Sequence, residues 1–100
     1  GRVDDMVIVR GVNVYPTAIE EILRGFPEIA EYRVHVSHVN SLAELRLEIE
    51  PVRELRDLDS LLGRVGRAFE TSLALRVPVA AVPPGALPRF EMKAQRWIRG

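Results

Sequence analysis

The sequence predicts an α+β domain: a small antiparallel or mixed β-sheet with two helices packed on one face, preceded by a β-hairpin. Three observations carry that expectation. Apolar and polar residues alternate over Tyr32–Val36 and Leu45–Ile49, the period of half-buried strands. Two other stretches, one opening at Pro16 and one running from Leu55 to Leu73, repeat apolar residues every three or four positions, the period of a helix with one buried stripe. The resulting order is hairpin, helix, strand, strand, helix, strand, tail, which segregates helices to one side of a sheet.

The elements follow in chain order. Met6-Val7-Ile8-Val9 and Val12-Asn13-Val14-Tyr15 are short β-branched runs broken by Arg10-Gly11, which predicts a tight hairpin over 6–15. Pro16 suits the first helical position, where its missing N–H costs nothing. Ala18, Ile19, Ile22 and Leu23 then form an apolar stripe, with Gly25 and Pro27 as stop signals. A strand over Ile29–His38, a turn at Asn40-Ser41 and a strand over Leu42–Ile49 read as an antiparallel hairpin. In the longer helix Leu55, Leu58, Leu62, Val65, Phe69 and Leu73 form the stripe. Gly63 and Gly66 weaken that helix by about 1 kcal/mol each relative to alanine, and close packing on a sheet would account for them. Val77–Val82 reads as a final buried strand, and Pro83-Pro84-Gly85 and Pro88 open a stiff, irregular tail over 83–100.

Composition narrows the function classes. The 100 residues suit one domain over 1–100, and 47% apolar content allows a real core. Fourteen basic residues balance fourteen acidic ones. A neutral chain lacks the basic surplus of a general nucleic-acid or anionic-membrane binder. Without cysteine there is no disulfide framework and no thiolate metal site, which makes a cytoplasmic home the expectation. No apolar run approaches the ~20 residues that span a bilayer. The opening glycine and the immediate run into a strand suggest a piece of a longer protein.

The candidate chemistry is sparse. Thirteen of the fourteen cations are arginine, and Lys93 is the single lysine. Lysine is a compact charge on a flexible stem, able to enter a closing site and follow charge between carboxylate and phosphate oxygens. In an arginine-rich chain a stray lysine is the plainer account when composition is all there is. Arg10-Gly11 reads as a hairpin turn, or as a loop whose glycine lets a ligand pass close to backbone. Asp4-Asp5 reads as solvated charge, or as a hinge held by side-chain-to-backbone hydrogen bonds. His35 and His38 lack a third metal ligand, so no metal site is expected. Trp97 reads as a packing anchor. Neither a nucleophile–base pair nor a phosphate-cradling glycine loop is present in the sequence.

Two segments at opposite ends carry a resemblance. The stretch from Gly1 to Pro16, with Arg10-Gly11-Val12-Asn13-Val14-Tyr15-Pro16 at its end and Ile19-Glu20 beyond, resembles the motif that begins the C-terminal domain of adenylate-forming enzymes, phenylacetate–CoA ligases most of all. Leu87-Pro88-Arg89 leading to Lys93 is similar to the terminal lysine motif of that family. The resemblance implies a lid domain that rotates between two steps, formation of an acyl-adenylate from a carboxylic acid and ATP, then displacement of AMP by the CoA thiol. By position it implies that Lys93 is the adenylation lysine, Asp4 the hinge residue within 1–5, Arg2 a residue near the nucleotide, and Arg10 and Gly11 the hairpin that CoA passes. It implies ATP with Mg2+ and CoA as the cofactors of a full-length enzyme, with none bound by this chain alone. It further implies the N-terminal domain of the same ligase as partner, an aryl or arylacetic acid as substrate in aromatic acid catabolism, a full-length homodimer, and no ligase activity for the isolated chain. Phe90 and Met92 depart from the family pattern, which has a small hydroxyl residue and a glycine at those positions. The competing class is a non-catalytic α+β small-molecule-binding or regulatory module. An RNA-binding sheet is disfavoured because the strands lack clustered exposed aromatics.

Overall fold

The computed structural model describes residues 5–89 and 96–100. Strands β1 (Val7–Val9) and β2 (Val12–Val14) pair antiparallel, with Val9 opposite Val12. Helix α1 (Pro16–Arg24) follows, then β3 (Ile29–Val39) and β4 (Leu42–Pro51). Helix α2 (Leu58–Leu73), β5 (Val79–Ala81) and β6 (Trp97–Arg99) complete the chain. The four-stranded sheet has the order β5-β4-β3-β6. Its centre is the antiparallel β3–β4 hairpin, and each edge strand runs parallel to its neighbour. The expected α+β domain with a preceding hairpin is thus observed, with a mixed sheet.

Both hairpin turns use left-handed backbone. Arg10 and Gly11 have φ of 48° and 79°, and Asn40 and Ser41 have 53° and 67°. Two successive positive φ values match the right-handed twist of the strands they join.

Alternation along β3 and β4 puts Tyr32, Val34, Val36, Leu45, Leu47 and Ile49 on one buried face. Ile19 and Leu23 of α1, Leu61, Val65 and Phe69 of α2, and Val7, Val9 and Val14 of the β1–β2 hairpin join them in one cluster. Both helices therefore cover the same face of the sheet.

Four local expectations need correction. Helix α2 starts at Leu58 rather than near Leu55, because Asp57 caps it and accepts a hydrogen bond from the Ser60 N–H at 3.0 Å. Its buried residues are Leu61, Val65 and Phe69, with Leu55, Leu62 and Leu73 packed partly buried against the core, so the expected stripe is observed except at Leu58, which is exposed. Gly25 ends α1 with right-handed backbone, its N–H bonded to the Ile22 carbonyl, so the stop comes from Pro27 rather than from left-handed freedom. A methyl at Gly66 would meet nothing within 4 Å, and at Gly63 only the Arg67 guanidinium at 3.3 Å, so neither glycine serves helix–sheet packing.

The C-terminal third differs most. The strand expected over Val77–Val82 is three residues long and lies at the sheet edge. The tail ends in β6, which pairs with β3 through Trp97 opposite Val34. Trp97 is buried, as an anchor should be.

Candidate functional site

The path from β5 to β6 defines the region of interest. β5 lies on the β4 edge of the sheet and β6 on the β3 edge, so the chain changes edge between them. Two buried glutamates mark that route. Glu50 lies at the end of β4 and Glu31 near the start of β3, and they are register partners across the ladder. Strand alternation directs both away from the face that holds Tyr32 and Ile49.

Each glutamate holds one arginine of the crossing chain. Arg89 Nη1 and Nη2 donate to Glu50 Oε1 at 3.0 Å and Oε2 at 2.7 Å, a two-point fork. The Leu87 N–H also donates to Glu50 Oε1, at 3.1 Å, and Leu87 is buried beside it. These contacts, those from Arg89 foremost, hold the Glu50 carboxyl down to about 2. Arg96 Nε and Nη2 donate to Glu31 Oε1 at 2.6 Å and Oε2 at 3.3 Å. The Arg96 guanidinium also lies 5.2 Å from the centroid of the Tyr32 ring. The chain is therefore tied to β4 at residue 89 and to β3 at residue 96 before it enters β6.

The last strand reaches the other end of the chain as well. Arg99 Nη2 donates to the Asp5 carbonyl at 2.8 Å, and the Gly100 N–H donates to the Val36 carbonyl at 2.8 Å.

At the hairpin tip Arg10 is held at its side chain: Nη2 donates to Glu44 Oε2 at 2.8 Å and Nη1 to the Arg76 carbonyl at 3.4 Å. Gly11 next to it is exposed, and a methyl there would meet nothing within 4 Å. The tip is backbone open to approach from outside, braced by an ion pair on one side.

The histidines do not converge. His35 Nε2 lies 2.6 Å from Glu48 Oε1, with Arg33 Nε donating to the same oxygen at 3.2 Å. The hydrogen bond with His35, then that from Arg33, holds the Glu48 carboxyl below its ordinary value. His38 is exposed, with Nδ1 3.4 Å from the Gly100 carbonyl oxygen. Among the described residues no group of three His, Cys, Asp or Glu is placed to hold a metal ion. Among the described residues, too, no helix is long and apolar enough to cross a membrane.

Of the residues singled out from the sequence, Arg10 and Gly11 meet at the hairpin tip. Arg2, Asp4 and Lys93 lie outside the described residues. Glu31, Glu50, Arg89 and Arg96 were not anticipated as a set. The only signal for them was the position of two arginines on either side of the lone lysine.

A family model described as the AMP-binding enzyme C-terminal domain matches residues 11–99. The chain belongs to that family. Among curated relatives, the AMP-binding enzyme C-terminal domain here is 35% identical to a phenylacetate-coenzyme A ligase of Thermus thermophilus, over 91% of this chain and 24% of the relative. It is 33% identical to a phenylacetate-coenzyme A ligase of Pseudomonas putida, over 94% of this chain and 23% of the relative. The chain thus spans about a quarter of the length of these relatives. Among solved structures, a domain of phenylacetate-coenzyme A ligase from Bacteroides vulgatus superposes with a TM-score of 0.79 at 31% identity, covering 99% of this chain and 95% of that one. A 2-hydroxyisobutyryl-CoA ligase matches in its thioesterification state with CoA, with a TM-score of 0.84 at 30% identity, covering 99% of this chain and 22% of that one.

Proposed function

We propose that this AMP-binding enzyme C-terminal domain serves a phenylacetate–CoA ligase-type enzyme, an ATP-dependent, AMP-forming carboxylate–CoA ligase acting on an aryl or arylacetic acid. In the first step a carboxylate oxygen attacks the α-phosphorus of ATP and pyrophosphate leaves. In the second the CoA sulfur attacks the acyl carbonyl carbon and AMP leaves. Lys93 stabilises the negative charge shared between carboxylate and α-phosphate in the first step. The hairpin tip at Arg10 and Gly11 lines the path of the CoA arm in the second. Residues 1–5 form the hinge, with Asp4 as its pivot and Arg2 near the nucleotide. ATP, its Mg2+ and the acid are held mainly by the N-terminal domain of the full-length ligase, so residues 1–100 alone do not form thioester.

The observation that carries this reading is the similarity, over nearly the whole chain, to phenylacetate-coenzyme A ligases at about one third identity. The geometry supports it at two points. Gly11 presents open backbone at a braced tip, which suits close passage of an extended ligand. The only lysine falls in a segment entered and left through arginines tied to the sheet.

The test uses the full-length enzyme, with phenylacetate as the acid. Lys93→Ala is expected to lower phenylacetyl-adenylate formation by roughly 10²–10³-fold. Thioester formation from preformed phenylacetyl-adenylate and CoA is expected to stay near the parent rate. Equal loss of both half-reactions, or loss of neither, overturns the role given to Lys93.

A further inference from the structure

We propose that Glu44 is a positioning residue for the thioester step: it holds the Arg10 guanidinium and with it the hairpin tip, so that the Gly11 backbone meets the CoA arm at a fixed place. This rests on the role proposed above for the tip in the CoA path.

The tip needs an anchor of its own. β1 and β2 form a two-stranded sheet separate from the four-stranded one, and an isolated two-stranded hairpin is marginal in water. Val7, Val9 and Val14 tie its strands into the core. Arg10 and Gly11 lie beyond the last strand pair, Val9 opposite Val12, and both are exposed. Core packing therefore stops short of the two residues that would face a ligand.

Arg10 supplies the anchor through its side chain. Its φ of 48° is left-handed, where a Cβ is disfavoured and Asn, Asp or Gly is the usual choice in a hairpin turn. An arginine does the turn no local service, so its use lies in what its side chain reaches. It reaches two points remote in sequence, Glu44 Oε2 at 2.8 Å and the Arg76 carbonyl at 3.4 Å. Both points belong to well-held parts of the fold. Glu44 stands beside buried Leu45 on β4 and opposite Ser37 in the β3–β4 ladder. Arg76 lies between Leu75 and Val77, both buried. Of the two bonds, the one to Glu44 is the shorter and joins two charges, so it carries the greater share.

The pair is a poor device for stability. Its side chains are 53% and 37% exposed, and ion pairs so open to water add little to a fold. What it restricts is the place of the tip relative to β4. A methyl at Gly11 would meet nothing within 4 Å, so an extended arm has room to approach the backbone there. Such an approach depends on where that backbone stands, since misplacement by about 1 Å costs up to ~10²-fold in rate.

The experiment uses the full-length ligase with phenylacetate, ATP and CoA, and measures adenylation separately from thioester formation on preformed phenylacetyl-adenylate. Glu44→Ala is expected to lower kcat/KM for CoA in the thioester half-reaction by roughly 10-fold. Adenylation and the melting temperature are expected to stay near the parent values, because an exposed pair contributes little to stability. Arg10→Glu, which sets a like charge against Glu44, is expected to lower the thioester step further. The exchanged pair, Arg10→Glu with Glu44→Arg, is expected to recover to within about threefold of the parent. Thioester formation within about twofold of the parent in Glu44→Ala overturns the inference. An exchanged pair no faster than Arg10→Glu alone also overturns it, since Arg10 then acts on CoA by its own charge. Parallel loss of both half-reactions in Glu44→Ala is the mark of a structural role and overturns it as well. Gly11→Trp separates the inference from the reading beneath it. If Gly11→Trp blocks thioester formation while Glu44→Ala leaves it intact, only the role of Glu44 fails. If Gly11→Trp forms thioester at the parent rate, the role of the tip fails and the inference with it.

Discussion

Glu31 and Glu50 stand opposite each other across the β3–β4 ladder, each buried and each bonded to a different arginine of the crossing chain. Two like charges are brought together in the sheet, and their compensation comes from residues close in sequence to each other but far from both glutamates. Burial of the two carboxylates is thus coupled to their pairing with Arg89 and Arg96. One consequence is a dependence of stability on the ionisation of Glu50.

The Glu50 carboxyl is held down to about 2 from an ordinary 4.5, chiefly by Arg89. A group with a depressed folded-state pKa binds fewer protons folded than unfolded. Its stabilising contribution is complete above pH 4.5 and is lost as pH falls toward about 2. Chemical denaturation of this chain at stepped pH is expected to show stability falling through that window. In Glu50→Gln that part of the acid limb is expected to flatten, and an unchanged slope would contradict the assignment to Glu50.

Phe69 of α2 is fully buried in the core cluster that also holds the inward residues of β3 and β4. Phe69→Ala is expected to destabilise the chain by about 3–5 kcal/mol, through lost apolar burial and the cavity left behind. Leu58→Ala, on the exposed side of the same helix, is expected to cost well under half of that. Urea titration of the two variants checks which stripe is buried.

Asp57 caps α2 through Ser60. Asp57→Ala is expected to cost about 1 kcal/mol, and Asp57→Asn much less, because the amide oxygen still accepts the N–H bond. Thermal melts of the two variants separate the cap from any general effect of charge.

Gly11 has φ of 79° and open space around the place of its missing side chain. Gly11→Ala is expected to cost about 1–2 kcal/mol from backbone conformation alone. On the full-length enzyme Gly11→Trp fills that space. It is expected to lower thioester formation from phenylacetyl-adenylate by roughly 10²-fold while leaving adenylation near the parent rate. Measuring the two half-reactions separately distinguishes a blocked CoA path from a misfolded hairpin.

The parts of the structure that local chemistry dictates were legible in the residues. Alternation in Tyr32–Val36 and Leu45–Ile49 named the buried face of the sheet, because side chains of a strand must point to opposite sides. Arg10-Gly11 and Asn40-Ser41 named the two turns, since few sequences accept two consecutive left-handed residues. Pro16 marked the start of α1. The stripe of α2 was legible in Leu62, Val65, Phe69 and Leu73; the fold adds Leu61 to it and leaves Leu58 exposed.

What the sequence by itself determined, then, is the elements as far as β5, their order, the apolar faces and the family motifs at the two ends. Tertiary structure alone decided the placement of β6 beside β3 and the pairing of Glu31 with Arg96 and Glu50 with Arg89. Trp97–Arg99 has no neighbouring strand in the sequence to form a hairpin with, since its partner lies about sixty residues away in the chain. On strands that alternate cleanly, Glu31 and Glu50 look like any solvent-facing acids. In the fold both are buried, and Arg89 and Arg96, remote from them in sequence, bond to their carboxylates.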